Sequence, residues 1–253
     1  MIETVPPRLL IDIGNTRTKW GLTNRGRIVA GEPFPTADFA QPGASHWTDW
    51  RDMPPPQQIL VANVAGAQVA DCLSHWTERT WGLTPGLIQA EAEAHGIRNR
   101  YVHAEKLGVD RWVALVAARR AHPGPVCLAD CGTAITVDAM DAKGAHLGGV
   151  IAPGLMLMRR SLMSGTHALP LAEGSSSDSF ARETQAGIRS GTLLAAAGLL
   201  TRCWQETATL LGGEPTLLLT GGDAQAIAAV LQLPFEIRPE LVLEGLMVIA
   251  ESS

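Results

Sequence analysis

LLIDIGNTRTKWGLTNRGRIV (residues 9–29) and CLADCGTAITVDAMDAKGAHL (residues 127–147) follow the same pattern. Aligned without a gap, they match Asp12 with Asp130, Gly14 with Gly132, Thr18 with Thr136 and Gly26 with Gly144. Self-similarity at one fixed offset indicates a duplicated structural unit. Each copy has an apolar run ending in Asp, a small-residue turn, a β-rich run, a second turn and a third run. This pattern predicts two three-stranded antiparallel meanders.

Helical and strand patterns alternate after each meander. The sequence predicts helices at 64–81, 108–121, 187–211, 225–232 and 240–251, and strands at 58–63 and 216–220. Such alternation predicts an α/β fold with helices packed on mixed sheets. Because His122-Pro123-Gly124-Pro125 cannot continue a helix, we expect domains at 1–122 and 123–253. We expect the Pro-rich segment 33–57 and the polar segment 170–180 on the surface or at a cleft.

Composition excludes several classes of protein. The 253 residues are 46% hydrophobic and 18% charged, as in ordinary globular enzymes. The net charge of −5 argues against a nucleic-acid partner, which requires a basic surface. No run approaches the roughly 20 apolar residues of a membrane span, and the N-terminus does not resemble a signal peptide. The four cysteines form no C-x-x-C pair, which favours reduced thiols and a cytoplasmic location.

The first turn of each copy is a candidate phosphate site. Backbone amides of Gly14, Asn15 and Thr16, and those of Gly132 and Thr133, can form nests for phosphate oxygens. Two like domains facing each other with these turns would enclose a nucleotide triphosphate. The chain has no Walker A or G-x-G-x-x-G sequence, so the P-loop and Rossmann routes to phosphate binding are not available.

Charged residues beside these turns suit the same ligand. Asp12 can hold Mg²⁺ through water, and Lys19 on the next strand can reach a phosphate. Asp130 ends the corresponding strand of the second copy, and Thr220-Gly221-Gly222-Asp223 forms a third small-residue turn before a helix. The alternative is that these residues only form turns.

The segment from Tyr101 to Trp112 brings polar residues to the start of a predicted helix. Tyr101 is the only tyrosine of the chain, and with Gly108, Asp110 and Arg111 it would form a pocket for a hydroxylated, carboxylated substrate. The alternative for Asp110 is a stabilising charge or cap at the helix N-terminus.

Together these motifs resemble those of type III pantothenate kinases. The matching segments, in family order, are DIGNTRTK (12–19), GVDR (108–111), DCGT (130–133), GGVIAPG (148–154) and TGG (220–222). Two positions depart from the pattern: Ala104 stands where we expect a proline, and Val109 stands where alanine is usual. The resemblance implies duplicated ribonuclease H-like domains of the actin/hexokinase/Hsp70-like ATPase superfamily.

The resemblance also implies an activity and a site. The reaction would be ATP-dependent phosphorylation of pantothenate on its primary hydroxyl, giving 4′-phosphopantothenate, the first step of coenzyme A biosynthesis. ATP would bind at Asp12, Ile13, Gly14, Asn15, Thr16, Arg17, Thr18, Lys19 and Thr133. Pantothenate would bind at Tyr101, Gly108, Val109, Asp110, Arg111 and Thr184. Asp110 would accept the proton, Asp130 would bind a monovalent cation such as K⁺ or NH₄⁺, and the protein would be a homodimer with its substrate pocket near the subunit interface.

Two alternatives remain open. The acceptor could differ, as in a sugar or acetate kinase or a polyphosphate-type phosphatase, although we expect those proteins to be larger. A non-catalytic accessory or regulatory protein could also keep the fold. The presence of Asp12, Lys19, Asp110 and Asp130 argues against that second alternative, because binding alone does not require all four. The apolar helix predicted at 187–211 would serve as core or as dimer contact.

Overall fold

A computed structural model describes residues 7–41, 43–167, 169–172, 174 and 180–252. Its strands are β1 (Arg8–Ile13), β2 (Arg17–Asn24), β3 (Arg27–Ala30), β4 (Phe34–Pro35), β5 (Gln58–Asn63), β6 (Gly86–Leu87), β7 (Glu93–Ala94), β8 (Ile97–Arg98), β9 (Val126–Cys131), β10 (Ala134–Met140), β11 (His146–Pro153), β12 (Thr216–Thr220) and β13 (Glu236–Ile237). Its α-helices are α1 (Ser45–Arg51), α2 (Ala67–Trp81), α3 (Val109–Ala121), α4 (Leu155–Gly165), α5 (Thr184–Leu211), α6 (Ala224–Ala228) and α7 (Leu241–Ser252). Short 3₁₀ helices lie at Thr36–Ala40 and Ala104–Lys106.

The chain divides into two compact units. The first takes in the chain up to His95, then Tyr101–Arg120 and the chain from Glu240 onward, and the second takes in Gly96–Arg100 and Ala121–Pro239. The expected boundary after residue 122 lies close to this division. The second domain was expected to extend to residue 253. In the structure, α7 packs on β1 and β5 and therefore belongs to the first unit. The assignment of two complete domains at 1–122 and 123–253 therefore stays a prediction.

The sheet of the first unit contains the predicted meander. Its strand order is β3-β2-β1-β5-β6, and β4 pairs with Arg17 and Thr18 at the start of β2, outside the stretch of β2 that pairs with β3. β1, β2 and β3 are antiparallel neighbours, whereas β5 runs parallel to β1. On one side, α3 and α7 approach so closely that a Cβ atom at Gly245 would lie 2.0 Å from the carbonyl oxygen of Val113. Glycine is therefore needed where these two helices cross.

The expectation that residues 33–57 form a surface or cleft segment is wrong. This segment contains β4, the 3₁₀ helix Thr36–Ala40 and α1, and it contributes Phe34, Phe39, Trp47 and Trp50 to the core on the other face of the sheet. These four side chains are at most 6% exposed. Prolines near both ends of the segment indicate loops, but the aromatic residues between them bury a large apolar area, and burial dominates.

The second unit repeats the arrangement of the first. Its sheet has the order β11-β10-β9-β12-β13, in which β9, β10 and β11 form the second predicted meander and β12 runs parallel to β9. The core lies between this sheet and α5 and α6. Helix α5 begins three residues before the predicted start, and α4 was not predicted. The segment 170–180 lies mostly outside the described residues.

Candidate active site

The first candidate phosphate turn connects β1 to β2. Asp12 and Lys19 are directly opposed across these strands, so their side chains lie on the same face of the sheet. The N–H of Gly14 donates to the carbonyl oxygen of Arg17 at 3.1 Å, and a Cβ atom at Gly14 would lie 2.9 Å from that oxygen. The side chains of Asn15 and Thr16 are exposed. The turn is thus tight and requires glycine at its start. The expectation that the amides of Gly14 and Gly132 face phosphate is wrong, because each N–H donates within its own turn, to Arg17 at 3.1 Å and to Ala134 at 3.0 Å.

Thr36 forms hydrogen bonds with this turn. Sequence reasoning did not identify this residue. Its hydroxyl donates to the carbonyl oxygen of Gly14 at 2.7 Å and lies 3.1 Å from the hydroxyl of Thr18. Its backbone N–H donates to the carbonyl oxygen of Thr16 at 3.0 Å. No local pattern marks this threonine, because its partners lie about 20 residues earlier in the chain.

The second candidate phosphate turn connects β9 to β10 and contacts the start of α4. Asp130 lies near the end of β9, and Thr133 in the turn is exposed. The N–H of Gly154 donates to the carbonyl oxygen of Thr133 at 3.0 Å, and a Cβ atom at Gly154 would lie 2.2 Å from the carbonyl oxygen of Gly132. The last glycine of GGVIAPG therefore permits this close backbone contact.

The third turn, between β12 and α6, packs against the second. Gly221 has a φ of +91°, and a Cβ atom there would lie 2.4 Å from both Asp130 Oδ1 and the carbonyl oxygen of Cys131. The N–H of Asp223 donates to that same carbonyl oxygen at 2.8 Å. The second unit thus brings together Asp130, the 132–133 turn and the Thr220–Asp223 turn.

Arg159 supplies a buried positive charge in this region and was also missed by sequence reasoning. It is 5% exposed on α4, and its guanidinium donates to the hydroxyl of Thr192 at 3.2 Å and to the carbonyl oxygen of Gly174 at 3.0 Å. Burial lowers the pKa of Arg159, and the negative charge of Asp223 partly opposes that shift. Burial likewise raises the pKa of Asp223, against the influence of Arg159. The two charges therefore stabilise each other beside the third turn.

The predicted substrate segment forms a single hydrogen-bonded group in the first unit. The Arg111 guanidinium donates to the phenol oxygen of Tyr101 at 2.8 Å, and its central carbon lies 5.5 Å from the centre of the Tyr101 ring. In the first turn of α3, Asp110 Oδ1 accepts the N–H of Arg111 at 2.8 Å. A Cβ atom at Gly108 would lie 2.6 Å from that oxygen, so glycine leaves room for the carboxylate. Val109 begins α3, and Ala104 begins the preceding 3₁₀ turn.

Thr184 is the first residue of α5, in the second unit, and its side chain is exposed. It lines an open groove of about 520 Å³ between α4 and α5, together with Met158, Leu162, Gly187 and Gly191 among others. The structure therefore places Thr184 on a different unit from Tyr101 and Arg111.

Within the described ranges, no three or more His, Cys, Asp or Glu side chains cluster as a metal ion would require. This is compatible with Mg²⁺, which binds few carboxylates and keeps several waters. All four cysteines are free thiols. None of the described helices is both long and apolar enough to cross a membrane.

The repeated sheet, with an Asp-x-Gly turn after the first strand of each copy, defines an α/β protein of the actin- and hexokinase-like ATPase fold. Solved structures support this class. The structure of MreB 5 of Spiroplasma citri bound to AMPPNP matches with a TM-score of 0.52 at 12% identity. The match covers 98% of this chain and 96% of the MreB 5 chain. A Campylobacter jejuni protein described as a conserved putative Baf family transcriptional activator matches with a TM-score of 0.60 at 20% identity. The match covers 96% of this chain and 98% of the Campylobacter protein.

The family model for type III pantothenate kinases matches residues 8–206, and the chain belongs to this family. The type III pantothenate kinase of Nitrosococcus oceani is 36% identical over 255 residues, covering 97% of this chain and 94% of that protein. The type III pantothenate kinase of Aromatoleum aromaticum is 40% identical over 245 residues, covering 96% of this chain and 97% of that protein.

Proposed function

We propose that this chain transfers the γ-phosphate of ATP to the primary hydroxyl of pantothenate, giving 4′-phosphopantothenate for coenzyme A biosynthesis. The observation that carries the proposal is the group formed by Tyr101, Asp110 and Arg111 at the start of α3. It combines a carboxylate with a buried guanidinium and a phenol. Those groups suit a substrate that carries both a hydroxyl and a carboxylate, and the chain's family supports the same substrate.

ATP is the phosphate donor in this proposal. Its contacts are the stretch from Asp12 to Lys19, namely Asp12, Ile13, Gly14, Asn15, Thr16, Arg17, Thr18 and Lys19, together with Thr133 of the second turn. The exposed Asn15 and Thr16, and the opposition of Asp12 and Lys19, support this assignment. Lys19 supplies a positive charge to the phosphates, and the backbone amide of Asn15 adds a hydrogen-bond donor.

Asp12 and Asp130 provide oxygen ligands of the kind that the two proposed cations require. Asp12 would hold Mg²⁺ through water, and the ion would neutralise charge on the phosphates. Asp130 would hold K⁺ or NH₄⁺. Its Oδ1 atom and the carbonyl oxygen of Cys131 both border Gly221, so two oxygen donors lie close together there. Carboxylate and carbonyl oxygens are the donors that hard cations prefer.

Asp110 is the general base of the proposed reaction. The pantothenate hydroxyl gives its proton to the Asp110 carboxylate as its oxygen bonds to the γ-phosphorus, and the bond from that phosphorus to the ADP oxygen breaks. Because the transition state of phosphoryl transfer is loose, a carboxylate of ordinary basicity suffices. Arg111 and Tyr101 orient the substrate, Gly108 and Val109 form its backbone contacts, and Thr184 contacts it from α5.

The protein acts as a homodimer in this proposal, and the α4–α5 groove is part of the contact with the second copy. Leu162 of α4 lines this groove and is 38% exposed, and Leu157 of α4 and Leu194 of α5 are exposed large apolar side chains on the same two helices. Covering exposed apolar side chains of this kind is favourable. The four free thiols suit the reducing cytoplasm, where ATP is available.

A coupled ATPase assay tests the function with pantothenate, sugars and acetate as separate acceptors. We expect ADP release to depend on pantothenate alone, and mass spectrometry to detect a phosphorylated product. ADP release with glucose or acetate but not with pantothenate would establish a different acceptor. Nucleotide binding without turnover on any acceptor would favour a non-catalytic role.

A further inference from the structure

Thr36 contacts the turn of the first candidate phosphate site and the start of β2, although it lies outside the Asp12–Lys19 motif. It is 4% exposed and bonds to the carbonyl oxygens of Gly14 and Thr16 through its hydroxyl and its N–H, respectively. Because its hydroxyl hydrogen goes to Gly14, the hydroxyl of Thr18 acts as the donor in the 3.1 Å contact between the two threonines. Gly14, Thr16 and Thr18 thus all form hydrogen bonds with Thr36.

The bond to Gly14 determines which way the Gly14–Asn15 peptide faces. In a trans peptide the carbonyl and the N–H point in opposite directions, and the described residues contain no cis peptide. Since the Gly14 carbonyl points at Thr36, the N–H of Asn15 points away from it. Rotation of this peptide would present a carbonyl oxygen, which repels phosphate, where an N–H group now stands.

Thr36 is itself held rigidly by the aromatic core. It follows β4, which pairs with β2, and Phe34 of β4 stacks on His46 of α1 with ring centres 3.9 Å apart. Both rings are buried, at 6% and 2% exposed. The Thr36 hydroxyl therefore has a fixed position from which to orient the turn.

The geometry points to Thr36 as a positioning residue for nucleotide phosphate. Its hydroxyl holds the Gly14–Asn15 peptide so that the Asn15 N–H faces the phosphates of ATP. This inference rests on the proposed function only in placing ATP at the Asp12–Lys19 turn. Thr36 itself does not touch the substrate.

The experiment compares Thr36→Val, which removes the hydroxyl while keeping the shape, with Thr36→Ser, which keeps the hydroxyl. Thr77→Val is the matched control, because Thr77 in α2 is also buried and, among the described residues, its hydroxyl bonds only to the carbonyl oxygen of Ser74 in its own helix. Calorimetry gives the Kd of AMPPNP with Mg²⁺, turnover assays give the KM of pantothenate, and thermal unfolding gives the Tm.

We expect Thr36→Val to raise the Kd of AMPPNP about 10-fold, the loss for one hydrogen bond to a charged group, with little change in the KM of pantothenate. Thr36→Ser should recover most of the affinity, and Thr77→Val should lower the Tm without changing the Kd. An unchanged Kd in Thr36→Val, or an equal rise in Thr77→Val, would overturn the inference. Wild-type protein that binds AMPPNP but does not phosphorylate pantothenate would refute the proposed function and leave the Kd comparison valid. Wild-type protein that fails to bind AMPPNP would refute both.

Discussion

His46 makes the stability of the first unit depend on pH. The ring is 2% exposed, lies parallel to Phe34 and contacts Phe39, Trp47 and Trp50. Neither ring nitrogen has a hydrogen-bond partner among the described residues. Burial in this apolar cluster lowers the pKa of His46 from 6.5 to about 4, although the charges of Asp38 and Asp49 act in the opposite direction. The folded protein therefore favours the neutral form of the His46 ring.

The sign and size of the effect follow from this pKa. Between pH 6.5 and pH 4 the unfolded chain binds a proton at His46 that the folded chain does not. The free energy of unfolding therefore falls as the pH decreases through this range. Since one pKa unit corresponds to about 1.4 kcal/mol, the loss reaches about 3 kcal/mol below pH 4. Such a loss is a large fraction of the stability of a typical domain, roughly 5–15 kcal/mol.

The assay is urea unfolding at pH 7, 6, 5 and 4.5, followed by tryptophan fluorescence, since Trp47 and Trp50 contact His46. His46→Phe keeps an aromatic ring and removes the titration. We expect wild type to lose about 2–3 kcal/mol relative to His46→Phe between pH 7 and pH 4.5. His75→Gln, at an exposed position, should follow wild type. A difference between wild type and His46→Phe that stays constant with pH would refute the reasoning.

Three further predictions concern the reaction and the assembly. Asp110→Asn should lower kcat about 10²–10⁴-fold with little change in ATP affinity or Tm, because asparagine keeps the shape of the side chain and an oxygen that can accept the N–H of Arg111 but cannot accept the proton; a near-normal kcat would exclude the catalytic role. Activity should require K⁺ or NH₄⁺ besides Mg²⁺, and Asp130→Asn should weaken that requirement without unfolding the protein; full turnover with only large organic cations besides Mg²⁺ would contradict this. Light scattering at micromolar concentration should give a dimer mass for wild type and a monomer mass for Leu157→Glu, with Val29→Glu, at an exposed position in the first unit, as the control. A monomeric, fully active wild type would contradict the dimer.

Much of the geometry of the candidate site was predictable because its signals are local. Alternating apolar residues and small-residue turns identified both meanders, and the register of β1 with β2 places Asp12 opposite Lys19. The Tyr101–Arg111 contact was also anticipated, since a short segment leads from the tyrosine into α3. Residues 33–57 were misjudged for the same reason: prolines give a local loop signal, whereas the burial of Trp47 and Trp50 depends on a sheet built elsewhere in the chain.

By itself, the sequence determined the duplicated meanders, the Asp-x-Gly turns and the polar start of α3, because hydrogen bonding and side-chain alternation among neighbouring residues specify them. Only the tertiary structure decided which distant groups support those turns. Thr36 reaches Gly14, Gly221 packs against Asp130, and α7 joins the first unit. Each of these contacts joins residues far apart in the chain. Their positions follow from how the strands pair and the helices pack, which no short stretch of sequence encodes.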